Sequence, residues 1–334
     1  MEKFFCILLT VLSLSLRAQD IHFSQFYSSP VQLNPALTGN FEGDWRFSGN
    51  QRSQWRSVSR PFNTFGFSAE NREGRVIPGL LFGANFFHDA AGDGNYRTFE
   101  LNVTSSYEYF LPGDSAHKIT PGIQVGFNHR RIDFSQLSFD NQFNGFYYDA
   151  SLPTNENLLT NNRTGLNLAL GVIYSYQVDK RNQFTAGIGW FNLSKKGQSF
   201  YEDQTIVRDK RVVLHGKGIY ELNFEWDLQP GFMMQFQGKF NEVVLGSNIR
   251  YIYKDKRGEY FAPYAGMWFR NKDAVNLVVG AYYNQWIAGV SYDVNFSQLA
   301  PASRVRGGLE FSLQYILHIF RPKVIQHRVC PDYL

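Results

Sequence analysis

Cysteine is almost absent from this sequence, and so are long hydrophobic runs and an excess of one charge sign. Only Cys6 and Cys330 occur among 334 residues, and Cys6 lies in an apolar N-terminal stretch. If that stretch is removed on export, Cys330 has no partner for a disulfide and no metal-site spacing. The 33 basic and 29 acidic residues are scattered. This distribution excludes the clustered positive patch that is typical of nucleic-acid binding.

Catalytic and cofactor motifs are missing as well. The sequence contains no phosphate-binding glycine loop, no H-E-x-x-H and no G-x-S-x-G elbow. The segment from Asp89 to Asn95 is rich in Asp and Gly, but it lacks the regularly spaced acids of a Ca²⁺ loop. We interpret it as a polar hairpin turn. The sequence therefore predicts no enzyme activity, no catalytic or metal-binding residues and no cofactor; a Ser–His pair formed across strands is the alternative.

Residues 1–18 have the three parts of a secretory signal peptide. Lys3 supplies a positive start, residues 4–16 are mostly apolar, and Ala18 is a small residue at the expected cleavage site. The apolar stretch is too short to span about 30 Å of hydrocarbon as a helix. A buried N-terminal strand is the alternative interpretation. We prefer the signal-peptide interpretation, which predicts an exported protein.

Two-residue alternation is what the sequence has in abundance. Within residues 304–317, Phe311 and Leu313 share one parity, while Glu310 and Ser312 share the other. Because successive strand side chains point to opposite faces, such a strand has one apolar and one polar face. Aromatic residues make up 17% of the chain, and they lie at alternate positions and near strand ends. This is typical of the interfacial girdles of outer-membrane barrels.

Turn signals divide the alternating region into about fourteen strands, with twelve or sixteen as alternatives. They are predicted near residues 44–57, 61–72, 79–90, 94–111, 117–132, 163–178, 182–194, 210–223, 227–240, 242–253, 258–271, 274–284, 285–296 and 304–317. The predicted fold class is all-β: an antiparallel transmembrane β-barrel of outer-membrane type over residues 44–317. Its last strand is expected to close the barrel against residues 45–55.

Loop lengths predict an orientation. The long connections 134–162 and 193–209, and the shorter 297–303, follow odd-numbered strands, while even-numbered connections are mostly short. Outer-membrane barrels keep short turns in the periplasm and long loops outside. We therefore predict a location in the cell outer membrane with both termini periplasmic, the C-terminal one as a tail of residues 318–334.

Residues 19–43 lack strand alternation and contain Pro30 and Pro35. A barrel of about fourteen strands encloses more space than its own side chains fill. We predict that this segment enters the lumen or the periplasmic mouth as a plug; a loose periplasmic tail is the alternative. The predicted lumen-facing charges have both signs, which favours paired ions in a filled lumen over a selective pore. They are Glu70, Glu100, Glu108, Arg130, Arg250, Arg304, Arg306 and Glu310.

A series of short motifs stands in order along nearly the whole chain after the signal. They are residues 19–26 (QDIHFSQF), 34–39 (NPALTG), 51–55 (QRSQW), 88–92 (HDAAG), 122–127 (GIQVGF), 189–193 (GWFNL), 286–293 (WIAGVSYD) and 307–310 (GGLE). The ordered set resembles the PorP/SprF family of type IX secretion and gliding-motility membrane proteins of the Bacteroidetes. One departure is ALTG, where AYAG is commoner.

The resemblance implies a non-enzymatic barrel that supports export or surface attachment of a large partner, such as an adhesin with a C-terminal sorting domain. It also implies contact with outer-membrane lipids and with periplasmic and outer-membrane secretion components, and it supplies no active-site residues. The competing interpretation is a passive or hydrophobic-substrate outer-membrane channel.

The loop between the fifth and sixth predicted strands is rich in exposed-type aromatics, namely Phe139, Phe143, Phe146, Tyr147 and Tyr148. Aromatic side chains at this density suit a protein interface, so we expect the loop to hold the exported partner. Packing of the loop over the barrel mouth is the alternative. The plug and the charged turn 254–259 are expected to face the periplasmic machinery.

Overall fold

In the part of the chain that the structure describes, the alternating sequence forms sixteen strands, of which β5 and β12 are short and fourteen are long. The computed structural model describes residues 20, 22–54, 61–73, 77–92, 94–113, 115–156, 160–194, 199–200, 207–256, 258–296 and 306–320. In chain order the strands are β1 (Trp45–Gln54), β2 (Phe62–Asn71), β3 (Leu80–Ala91), β4 (Tyr96–Tyr107), β5 (Tyr109–Phe110), β6 (His117–Arg131), β7 (Asn162–Gln177), β8 (Gln183–Phe191), β9 (Arg211–Glu221), β10 (Trp226–Gln237), β11 (Phe240–Tyr251), β12 (Lys254–Lys256), β13 (Glu259–Arg270), β14 (Ala274–Tyr283), β15 (Trp286–Asn295) and β16 (Arg306–Leu317).

The sheet closes into a barrel. Neighbouring long strands pair antiparallel, β11 pairs with β13, and β1 pairs with β16. The closing register runs from Trp45 opposite Leu317 to Ser53 opposite Leu309. The predicted barrel of fourteen long strands and its predicted closing pair are therefore confirmed. The predicted strand ends at 55–57 and 304–305 lie outside the described residues.

The two faces of each strand follow the alternation. On β16, Phe311 and Leu313 are about half exposed on the outer face, whereas Glu310 and Ser312 are buried on the inner face. The outer face therefore matches a hydrocarbon environment, and the inner face a polar lumen. None of the helices in the described part of the chain is long and apolar enough to cross a membrane.

The connections differ between the two ends of the barrel. The long connections that follow β6, β8 and β15 begin at one end of the barrel, which we call the long-loop end. The opposite end, called the short-turn end, carries turns such as 178–182 and 284–285. Outward aromatic rings contact one another around the short-turn end, as an interfacial belt does. The contacting pairs include Trp45–Phe47, His117–Tyr176, Trp226–Tyr251, Phe261–Tyr283 and Trp286–Tyr315.

Residues 20 and 22–44, called the luminal segment, run through the barrel. Three short helical pieces form its middle: the 3₁₀ turns Phe26–Ser28 and Pro35–Leu37 and the α-helical turn Pro30–Leu33. Asp20 contacts Arg208 at the long-loop end, and the N–H of Asp44 donates to the carbonyl of Leu317 at the short-turn end. The barrel strands begin and end at the short-turn end, at Trp45 and Leu317, whereas Asp20 lies at the long-loop end.

Candidate functional site

Near the long-loop end, the backbone of the luminal segment is hydrogen-bonded to the inner wall of the barrel. The N–H groups of Ser24 and Gln25 donate to the carboxylate of Glu310 at 2.7 and 3.0 Å. The side-chain amide of Gln25 donates to Ser291 at 3.1 Å and accepts from Ser312 at 2.8 Å. A buried carboxylate needs hydrogen-bond donors, and buried backbone N–H groups need acceptors. Glu310 and the backbone of the luminal segment therefore each supply the hydrogen-bond partners that the other requires.

The middle of the segment lies against glycines of the wall. Asn34 accepts from the N–H of Ala36 at 2.9 Å, and its Nδ2 lies 3.0 Å from the imidazole of His215. A Cβ on Gly171 would lie 1.9 Å from Asn34 Oδ1, and one on Gly122 would lie 2.4 Å from Ala36 Cα. Only residues without a side chain permit this close approach.

An apolar core fills the lumen beside these turns. Phe26 packs edge-to-face on Trp268 with ring centroids 5.2 Å apart. Inward-facing apolar side chains from several strands surround the segment; they include Ala169, Ile173, Val213, Met233, Val244, Tyr264 and Val278. Sequence reasoning assigned the inner parity to polar residues and missed this core. The available signal was a strand with apolar residues on both parities, such as β13.

Ion pairs seal the segment at the short-turn end. Glu70 is fully buried and accepts two hydrogen bonds from Arg46, at 2.9 and 2.7 Å, and one from the N–H of Gly39 at 3.0 Å. Nearby, Glu108 pairs with both Arg72 and Lys118. The luminal segment therefore leaves the barrel between two sets of paired charges.

The other predicted lumen charges have different surroundings. Glu100 pairs with Arg208 at 2.9 Å, and Arg250 pairs with the buried Asp227. Arg130 lies on the inner face but makes no ion pair with any described residue. The side chains of Arg304 and Arg306 lie outside the described part of the chain.

A cavity of about 1370 Å³ opens at the long-loop end, and we call it the vestibule. Asp20, His22 and Gln32 of the luminal segment form part of its lining. Most of its charges are paired: Arg52 lies 2.8 Å from Asp293, Arg208 lies 2.8 Å from Asp20, and Arg270 lies 3.1 Å from Glu242. Charged and polar residues make up much of the vestibule lining, the cavity is open to the side of the long loops, and the luminal segment lies beneath it.

The loop after β6 carries an ordered projection, residues 139–154, which we call the aromatic arm. Phe143 and Tyr148 form a β-bridge, and the N–H groups of Phe146 and Tyr147 donate to the side chain of Asn144. Phe146 is 92% exposed and Tyr147 is 63% exposed. The arm thus holds two aromatic side chains away from the protein, rather than packing them over the mouth.

The arm also carries charge of one sign. No Lys, Arg or His occurs between residues 133 and 162, whereas Asp140 and Asp149 lie in the arm. Hydrogen bonds from the hydroxyl and the backbone N–H of Ser151 hold the pKa of Asp149 below its usual value. Asp149 is therefore ionised at neutral pH.

Asp89, predicted to begin a polar turn, instead lies within β3, where it is paired with Thr64 and Thr98. Asp89 is buried and accepts a hydrogen bond from Thr64 at 2.6 Å. Asp93 lies outside the described residues. Within the described ranges, no three His, Cys, Asp or Glu side chains come together as a metal site would require.

Comparison with known proteins places these features in context. The sequence matches the family described as "Type IX secretion system membrane protein PorP/SprF" over residues 15–315. No curated protein matches it.

Solved structures of similar shape include the Ralstonia pickettii toluene transporter TbuX, with a TM-score of 0.51 and 10% identity over 87% of this chain and 94% of that one. The Pseudomonas putida toluene transporter TodX has a TM-score of 0.52 and 9% identity over 89% and 94% of the two chains. At such identities the likeness shows the outer-membrane barrel fold.

Proposed function

Because the chain belongs to the PorP/SprF family of type IX secretion system membrane proteins, we propose that it is a closed outer-membrane platform. In this role it holds a large exported partner at the cell surface and performs no catalytic step. The observation that carries the proposal is the luminal segment, which extends from Asp20 at the long-loop end to Asp44 at the short-turn end.

The luminal segment acts as a plug. Its buried contacts with Glu310, Glu70 and the apolar core oppose movement out of the barrel. Breaking the polar contacts leaves buried carboxylates without partners, and breaking the apolar contacts exposes apolar surface to water. In this assignment residues 1–18 are the signal peptide, 19–43 the plug, 44–317 the barrel and 318–334 a periplasmic tail.

The aromatic arm contacts the exported partner, a protein with a C-terminal sorting domain. Exposed aromatic side chains on an ordered loop lose little conformational entropy on binding, and they are enriched among the residues that contribute most to interfaces. The exposure of Phe146 and Tyr147 supports this role.

The short-turn end faces the periplasmic secretion components. Arg181 links two turns there, since it pairs with Asp227 and donates to the carbonyls of Asn223 and Phe224. Phe224 is 91% exposed at the tip of the second turn. This end also carries the Lys254–Glu259 ion pair.

A passive or hydrophobic-substrate channel is the second candidate. The similar solved structures include toluene transporters, and that likeness is the observation in its favour. The charged lining of the vestibule opposes it, because pockets for apolar ligands are mostly apolar. Toluene uptake by a porin-deficient host that carries this protein would favour the channel.

Recovery of the exported partner with the full-length protein tests the platform. We expect Phe146→Ala with Tyr147→Ala, or deletion of residues 141–149, to reduce recovery by about tenfold or more, as loss of interface hot spots does. Phe224→Ala is the matched control, because Phe224 is equally exposed at the other end. Undiminished recovery with the arm variants, or equal loss with the control, would contradict the proposal.

A further inference from the structure

Arg130 lies on the wall of the vestibule, near the end of β6. Its cross-strand neighbours are Thr98 on β4 and Arg163 on β7. Thr98 in turn lies opposite Asp89 on β3. Two strand spacings, about 10 Å, therefore separate the backbones of Arg130 and Asp89, the nearest acid in this row. Arg130 lies on the cavity wall with no acid directly opposite it on either neighbouring strand.

The other arginines around the vestibule have acidic partners in the structure. Arg52, Arg208 and Arg270 each lie within 3.1 Å of a carboxylate oxygen. Arg130 has no ion pair with a described residue. Its Nε is buried without a hydrogen-bond acceptor, as are those of Arg52, Arg211 and Arg270, so the missing ion pair is what distinguishes Arg130. A buried guanidinium N–H without an acceptor costs free energy, so this group is suited to a ligand.

A guanidinium group binds a carboxylate through two parallel hydrogen bonds. The vestibule, of about 1370 Å³, is larger than the usual small-molecule pocket of about 300–1,000 Å³, and it opens at the same end of the barrel as the aromatic arm. The geometry points to the vestibule as the binding chamber for an acidic, extended segment of the exported partner, with one of its carboxylates on Arg130. This inference rests on the proposed function, since it assumes that a partner is held at the long-loop end.

Binding of a labelled oligoglutamate peptide to the full-length protein in detergent tests the inference. We expect oligoglutamate to bind more tightly than oligoglutamine of the same length. Arg130→Gln should weaken oligoglutamate binding by about tenfold or more, the loss expected for one charge-assisted pair. Arg130→Lys keeps the positive charge but not the two parallel N–H donors. Its affinity for oligoglutamate should therefore fall between that of the wild type and that of Arg130→Gln.

Arg131→Gln is the matched control, because Arg131 is the next residue on β6 and is exposed on the outer parity. It removes the same charge from the same strand end and should leave affinity unchanged. Free glutamate at the same carboxylate concentration should not compete. The inference is overturned if Arg130→Gln binds like the wild type, if oligoglutamine binds equally well, or if free glutamate competes equally.

The peptide measurement is independent of partner recovery. If the aromatic-arm variants recover the partner fully while Arg130→Gln still loses peptide binding, the platform proposal alone has failed. If the arm variants lose the partner while peptide binding is unaffected by Arg130→Gln, only the vestibule assignment has failed.

Discussion

The two ends of this barrel are built from the same alternating strands, yet one end is sealed and the other is open. At the short-turn end, Glu70 is buried and pairs with Arg46, while the Glu108 side chain is 7% exposed and pairs with Arg72 and Lys118. At the long-loop end, a cavity of about 1370 Å³ and a projecting aromatic arm face outward. The short-turn end is therefore filled by internal contacts, and the long-loop end presents exposed surface, as the proposed platform role requires.

A second contrast, within the short-turn end, is between a buried and an exposed ion pair. The Arg46–Glu70 pair lies in the interior, whereas the Lys254–Glu259 pair is 41% and 50% exposed. A buried ion pair is costly to break because the remaining charge stays out of water, while an exposed pair contributes little.

The largest predicted effect is on stability at the sealed end. Glu70→Gln leaves Arg46 buried without a counter-charge, so we expect a loss of about 3–5 kcal/mol in unfolding free energy. Denaturant unfolding of the purified barrel, followed by circular dichroism, measures it. Glu259→Gln is the control and should change stability by about 0–1 kcal/mol. If the two substitutions changed the unfolding free energy by similar amounts, the buried Arg46–Glu70 pair would contribute no more to stability than the exposed Lys254–Glu259 pair, and the account would be contradicted.

A smaller effect is expected where the luminal segment contacts the wall. Gly171→Val places carbon atoms where Asn34 now lies, and such overpacking costs about 1–3 kcal/mol. We expect the segment to shift and residues 22–43 to become sensitive to protease.

Gly49→Val is the control for that substitution. Gly49 has only the carbonyl oxygen of Leu313, at 4.0 Å, near the position of an added Cβ. The control should leave the segment protected. Equal protection in Gly171→Val would mean that the contact with Asn34 does not hold the segment.

The barrel was predictable because lipid and lumen impose opposite chemistry on alternate residues. Even β1 pairs as predicted, although Gln51 interrupts its outer face, since Trp45 and Phe47 keep the parity. The strand 304–317, with Phe311 outside and Glu310 inside, had the clearest pattern, and it closes the barrel.

The packing and the ion pairing inside the barrel could not be predicted from the sequence. The inward position of Trp268 depends on the path of the luminal segment, since Phe26 supplies its partner ring. The sequence placed Arg130 among the lumen charges but did not distinguish it from Glu70 or Arg250. Which charges are paired depends on contacts between strands far apart in the chain, and local periodicity does not encode them.

The ionic conductance of the purified full-length protein in a planar bilayer tests the closed platform most directly. A lumen occupied from Asp20 to Asp44 predicts no steady conductance above that of the protein-free bilayer, with Gly49→Val behaving like the wild type. Steady open-channel currents through the wild-type protein would contradict the account and favour a channel.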